Sequence, residues 1–216
     1  MTRAASYAGS VNLDWPDCKN ARDLGGLPTA EGGRVRPGAL IRSDSHGRLT
    51  PDAVRAIRAL GVARILDLRS SRECAADPSP FSGDPSYRHV PLLADPMGYD
   101  PPADTYGPML DHNTVRIAHA FREIASAPPG GLLVHCRSGR DRTGALVALL
   151  LAVAGVAPED IASDFAQTPG TSSDAMRNTL MHATTRYGGV PAYLTYCGVP
   201  ATDLTAIRER LTVRPS

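Results

Sequence analysis

Ten consecutive residues, His135-Cys136-Arg137-Ser138-Gly139-Arg140-Asp141-Arg142-Thr143-Gly144, set a cysteine, an arginine six places later and a carboxylate between them. A cysteine is nucleophilic as its thiolate, a form favoured by nearby cationic groups and by a helix N-terminus. If the segment curls, the backbone amides from Arg137 to Arg142 form an anion nest, and the Arg142 fork returns beside the sulfur to grip two oxygens of one anion. That constellation suits in-line attack of Cys136 on phosphorus, a phosphocysteine, and its hydrolysis by water. Cys136 and Arg142 are thus the expected catalytic pair. Arg137, Ser138, Gly139, Arg140, Thr143 and Gly144 are expected to bind substrate. Within that set, Gly139 leaves room for the phosphate to approach the backbone, and the Thr143 hydroxyl can donate to the sulfur as it departs. His135 is expected to brace the loop. The Cys-to-Arg spacing alone is weak in a chain where only Lys19 of the 23 basic residues is lysine. Requiring the flanking His, Gly, Thr and Gly as well lowers chance occurrence to about one in ten thousand.

An ester oxygen leaving phosphorus needs a proton. Asp141, Asp104 and Asp111 are the candidates: the first within the loop, the others in a long segment rich in Pro, Asp, Gly and Tyr, residues 94–112, whose Tyr99 and Tyr106 can line an entrance. Trp15-Pro16-Asp17 lies too early in the chain for this task and reads as a turn. Arg22, Asp23, Arg42 and Asp67 read as strand-end or turn residues that can lie close to the pocket. Cys18, Cys74 and Cys197 are scattered, and the histidines His46, His89, His112, His119 and His182 form no ligand pattern, so no metal and no cofactor is expected.

The loop needs a strand to deliver it and a helix to receive it. Leu132-Leu133-Val134 is a short apolar run after Pro128-Pro129-Gly130-Gly131, so it predicts a buried strand. The residues after Thr143 are apolar on all sides, as in a central helix. Upstream, 39–42 and 62–68 predict strands, with 87–93 a third. Thr50-Pro51-Asp52 opens a helix that Gly61 ends. Further helices are expected over 114–126, 158–166, 174–187, 191–196 and 202–211. Strands first, then strands alternating with helices, make an α/β fold: a single domain spanning 1–216 (core about 20–211), with a central, mostly parallel or mixed sheet flanked by helices.

A net charge of +1 predicts neither a nucleic-acid footprint nor a polybasic membrane patch. The longest apolar run, 145–156, falls short of the roughly 18 residues a membrane span needs. Met1 to Ser6 leads into polar sequence, without the apolar stretch of a secretory leader. A cytoplasmic, reduced protein is the simplest expectation.

The loop resembles that of the protein tyrosine phosphatase superfamily, and more closely the bacterial tyrosine phosphatase-like and dual-specificity family with His-Cys-x-x-Gly-Lys-Asp-Arg-Thr-Gly. The likeness extends to Asn20-Ala21-Arg22-Asp23-Leu24-Gly25-Gly26, Arg36-Pro37-Gly38, Ile41-Arg42-Ser43, Leu49-Thr50, Ile65-Leu66-Asp67-Leu68-Arg69 and Tyr187-Gly188-Gly189-Val190. Arg140 stands where that family usually has lysine, and 165–187 is short against members with a helical lid there. The resemblance implies a metal-independent phosphatase acting on a phosphorylated protein (phosphotyrosine, in some members phosphoserine, phosphothreonine or phosphoinositides), and it favours Asp141 as the acid. Two other readings are open: a phosphatase of a small-molecule phosphate ester such as a sugar, nucleotide or biosynthetic intermediate, and a phosphate-binding module without turnover.

Overall fold

Alternation along three short runs splits the core between the two faces of one sheet. Leu40, Leu66, Leu132 and Val134 enter one apolar cluster, whereas Ile41, Ile65 and Leu133 enter a second with Trp15, Ile57 and Phe81. The computed structural model describes residues 10–213; Met1 to Ser6, the segment without a leader's apolar stretch, lie outside them. In chain order the elements are β1 (Val11–Asn12), β2 (Arg22–Asp23), β3 (Arg34–Val35), β4 (Leu40–Ser43), α1 (Pro51–Ala59), β5 (Val62–Asp67), α2 (Ser71–Ala76), β6 (Tyr87–His89), α3 (Gly107–His112), α4 (Thr114–Ala125), β7 (Gly131–His135), α5 (Asp141–Val153), α6 (Pro158–Ala166), α7 (Ser173–Tyr187), α8 (Val190–Tyr196), α9 (Ala201–Leu211) and β8 (Thr212–Val213).

The main sheet runs β1-β2-β4-β7-β5-β6. β4, β7, β5 and β6 are parallel, and β2 and β1 continue the sheet antiparallel from β4. The expected mixed, mostly parallel α/β domain therefore forms. β7 lies between two parallel neighbours and is buried throughout, which is why its sequence is apolar without alternation. Its register aligns His135 with Ser43 of β4 and Asp67 of β5. Three strands thus end abreast, and the loop leaves from the middle one. Open parallel sheets bind their ligands at this carboxyl edge.

α5 is the central helix, with ten of its thirteen residues buried. α1 starts where expected: the Thr50 side chain accepts from the Ala53 amide at 3.2 Å, and Gly61 follows at φ +70°. Two helices depart from the sequence expectation. α3 forms the end of the segment read as loop, with Pro108 in its first turn. α2 follows β5 directly and is opened by a capping box, in which Ser70 Oγ accepts from the Glu73 amide (3.2 Å) and Glu73 Oε2 accepts from the Ser70 amide (2.8 Å).

Candidate active site

The loop between β7 and α5 is held from outside by its carbonyls. The Arg137 carbonyl accepts from the Ser45 amide at 3.0 Å. Asn20 Nδ2 donates to the carbonyls of Ser138 (3.3 Å) and Gly139 (3.0 Å), and an Arg42 terminal nitrogen donates to that of Gly139 at 2.8 Å. In a planar trans peptide the following N–H points opposite to the carbonyl. Pinning these three carbonyls outward therefore turns the amides of Ser138, Gly139 and Arg140 inward, toward the concave side of the loop. None of these amides meets a protein acceptor among the described residues. The N-terminus of α5 closes the same concavity with its own partial positive charge.

Gly139 has φ +65°, and a Cβ there would lie 2.5 Å from the Ser43 carbonyl oxygen and 2.8 Å from the Asp44 amide nitrogen. The backbone at the end of β4, outside the loop, therefore requires glycine here in its own right. Gly144 likewise serves packing, since a Cβ there would come within 2.3 Å of the Phe165 ring.

Cys136 is 1% exposed at the end of β7. Arg142 forms two hydrogen bonds to Glu73, at 2.6 and 2.9 Å. Burial works against its charge, but Glu73 and the Cys136 sulfur together hold the guanidinium above its ordinary range. The same pairing lowers Glu73 from 4.5 to about 2. Glu73 was not singled out from sequence, although Ser70-Ser71-Arg72-Glu73 carries the capping-box signal that places it.

Two further layers brace the loop. Asp164, on α6 and 2% exposed, accepts from Arg22 (2.9 and 3.1 Å) and from Arg42 (3.2 Å), and Arg22 also donates to Asn20 Oδ1 at 2.8 Å. Beneath Cys136, the buried His135 ring stacks on His46 at 3.8 Å, and Ser43 Oγ lies 2.9 Å from His46 Nε2. Burial lowers the pKa of both imidazoles, which keeps them neutral, in line with a bracing role for His135. Asp67 is also buried, but hydrogen bonds from Arg69 and Tyr87 keep it well below the usual carboxylate range. Arg22, Arg42 and Asp67 therefore support the site from behind. Asp23 ends β2, and its carboxylate accepts from the amides of Gly25 and Gly38.

The candidate acids separate clearly. Asp141 stands at the first position of α5, where Tyr106 donates to its Oδ1 at 2.7 Å and Arg140 Nε reaches both oxygens at 3.1 and 3.2 Å. Burial and then Asp141 itself push the Tyr106 hydroxyl far up, so it stays a donor. Asp111, on α3, is held by His182 (2.9 Å) and Tyr187 (2.6 Å) away from the loop. Asp104 is exposed, and its carbonyl is bound by Asn178 on α7. Asp17 sits in an exposed turn at φ +63°, closed by the Trp15–Cys18 bridge. The Thr143 hydroxyl is buried with no protein partner among the described residues.

Beside Arg140, Asp141 and Arg142 opens a cavity of about 450 Å³, walled by Leu93, Met97, Tyr99, Tyr106 and Met109. The long 94–106 segment thus supplies an apolar wall at the mouth, where Tyr99 and Tyr106 were expected.

A model of the tyrosine phosphatase family matches residues 13–172. A putative tyrosine-protein phosphatase of Cupriavidus necator is 32% identical over 206 residues, covering 89% of this chain and 75% of that protein. A tyrosine-protein phosphatase of Nostoc commune is 31% identical over 150 residues, with 64% of this chain and 51% of that protein covered. A triple specificity protein phosphatase of Mycobacterium tuberculosis is 29% identical over 192 residues, with 69% and 66% covered.

Proposed function

The chain belongs to the tyrosine phosphatase family and is a phosphoric monoester hydrolase; from that premise we propose that Cys136 is its nucleophile and phosphotyrosine its preferred substrate. The observation that carries the assignment is the set of pinned carbonyls at Arg137, Ser138 and Gly139. They preorganise inward amides around the sulfur before any substrate arrives, and preorganised dipoles cost no reorganisation during reaction.

In this reading the phosphoryl oxygens sit on the amides of the loop and on Arg142, which Glu73 holds in one orientation. The Cys136 thiolate attacks phosphorus in line, the bond from phosphorus to the ester oxygen breaks, and Asp141 gives that oxygen its proton. A water then attacks the phosphocysteine while Asp141 takes one of its protons. The sulfur leaves as thiolate, and the Thr143 hydroxyl is available to stabilise it. Tyr106 stays on Asp141 Oδ1, and Oδ2 carries the proton once the exposed Arg140 side chain releases it. No metal or cofactor has a role in these steps. The apolar wall of Tyr99, Tyr106 and Met109 suits an aryl ring better than a sugar, which favours phosphotyrosine over the small-molecule alternative. The mechanism requires a reduced thiol, and all four cysteines are unpaired, which supports a reducing, cytoplasmic setting.

The test is phosphate release from phosphotyrosine and phosphoserine peptides, phosphoinositides, nucleotides and sugar phosphates under reducing, metal-free conditions, with Cys136→Ser in parallel. Release by wild type, strongest on phosphotyrosine and abolished in the variant, is expected. Binding of phosphotyrosine without release by wild type would instead identify a phosphate-binding module.

A further inference from the structure

On the flank of the loop away from the apolar cavity lies a second, larger groove of about 850 Å³. The side chains of Lys19, Arg48, Arg72 and Arg137 line it, all exposed. They come from four separate places: the turn before β2, the segment after β4, α2, and the phosphate loop itself. None of the four side chains meets a carboxylate among the described residues. Several arginines elsewhere on the surface are paired with carboxylates: Arg58 with Asp84, Arg88 with Glu123, Arg177 with Glu159 and Asp174, and Arg208 with Glu31. The groove does contain acids, some of them already paired. Glu73 is taken by Arg142, and Asp77 by Arg69 and Ser45. Asp44 accepts from the Cys18 thiol and from the amides of Lys19 and Asn20. Asp17 and Asp44 line the groove without a cationic partner among the described residues, so four unpaired cations face two unpaired carboxylates and the groove keeps an excess of positive charge.

We propose that this groove is a specificity subsite for acidic residues flanking the phosphotyrosine of a peptide substrate. The inference rests on the phosphatase reading above and names the substrate class more closely. Arg137 belongs both to the groove and to the phosphate loop, so an extended peptide whose phosphate is in the loop lays its neighbouring side chains along Arg72, Arg48 and Lys19. A bilayer is the poorer fit. Membrane surfaces are met by protruding basic and apolar side chains, whereas these cations line a concavity, and large exposed apolar side chains such as Val11, Leu60, Val115 and Met181 are scattered elsewhere.

The experiment compares two phosphotyrosine peptides of equal length, one flanked by Asp and Glu and one by Asn and Gln, beside p-nitrophenyl phosphate and phosphoinositide vesicles. Wild type is run with the double variant Arg48→Ala/Arg72→Ala, which lies outside the catalytic loop. Wild type is expected to favour the acidic peptide about fivefold to tenfold in kcat/KM at low ionic strength, mainly through KM, and to lose the preference as salt rises. The double variant should treat both peptides alike and hydrolyse p-nitrophenyl phosphate as wild type does. Absence of a preference in wild type, or its survival in the variant, overturns the proposal while leaving the phosphatase reading intact. A variant defective on vesicles alone overturns it in favour of a lipid headgroup. Failure of both proteins on p-nitrophenyl phosphate overturns the phosphatase reading and the subsite with it.

Discussion

Asp164 is the most informative residue to remove, because it is remote in sequence from the loop and yet charge-balances the groups that hold it. Its carboxylate accepts three hydrogen bonds from Arg22 and Arg42, all within 3.2 Å, and the three side chains are at most 2% exposed. In Asp164→Ala, two guanidiniums remain buried, with neutral acceptors such as Asn20 Oδ1, the Gly139 carbonyl and the Asp164 main-chain carbonyl. Burial and the Arg22 charge already lower Arg42 to about 10 against the support of Asp164, so removing the carboxylate leaves the two cations repelling each other. Breaking a buried pair in this way costs about 3–5 kcal/mol. For a chain of this size each kcal/mol shifts Tm by about 2–4 °C, so the melting midpoint should fall by roughly 6–20 °C. Activity should fall too in the protein that remains folded, because Arg42 and Asn20 set the Gly139 carbonyl that orients the Arg140 amide. Thermal unfolding followed by circular dichroism, with p-nitrophenyl phosphate kinetics well below the variant's midpoint, measures both effects. A midpoint within about 2 °C of wild type, less than one kcal/mol by the same conversion, together with unchanged kcat/KM would refute the account.

Three further perturbations probe other parts of the site. In kcat/KM, which leaves out the shared hydrolysis of the phosphocysteine, Asp141→Asn should slow alkyl phosphates by about 10²–10⁴ and p-nitrophenyl phosphate, whose leaving group needs little protonation, far less; equal slowing of both kcat/KM values would remove Asp141 as the acid. Glu73, lowered from 4.5 to about 2, contributes stability that is fully present above pH 4.5 and lost as pH falls toward 2. The urea midpoints of wild type and Glu73→Gln should therefore differ most above pH 4.5 and converge near pH 2, and a gap independent of pH would contradict that. Gly139→Ala adds a left-handed penalty of about 1–2 kcal/mol to the clash with Ser43; loss of phosphate affinity, read by inorganic phosphate inhibition, is expected to exceed the loss of stability.

The parts of the fold legible in sequence were those written in periodicity and punctuation. The apolar run at 132–134, the capped start at Thr50 and the all-apolar helix after Thr143 each follow from local physics, and each formed within a residue or two of its expected bounds. α2 carries an equally local mark: Ser70 and Glu73 stand three apart, which is the capping-box spacing. That same spacing places Glu73, the partner of Arg142. α3 carried no such mark at its start, since Tyr106 makes no capping bond through its side chain; its end is closed by Asn113 Nδ2, which donates to the Met109 carbonyl at 2.8 Å. Its place is fixed by tertiary bonds: Asp111 accepts from His182 and Tyr187, and the Leu110 carbonyl accepts from Tyr193.

Pairings between distant segments leave no local trace, and the loop depends on them. Asn20 reaches Gly139 across 119 positions and Arg22 reaches Asp164 across 142. Yet the short motifs that carried the family resemblance prove to be these supports. Asn20-Ala21-Arg22-Asp23 supplies the carbonyl clamp, the guanidinium paired to Asp164 and a turn acceptor. Ile41-Arg42-Ser43 supplies the second clamp and the hydroxyl beside His46. Asp67-Leu68-Arg69 supplies the buried pair at the end of β5. A catalytic loop with inward amides has outward carbonyls, and buried carbonyls must be bonded. On the proposed function, the donors that bond them are as necessary to phosphate binding as the amides themselves, although none of them needs to touch phosphate. Residues that read one at a time as ordinary turn or strand-end positions are, in the function proposed here, the means by which Cys136 acquires an anion site.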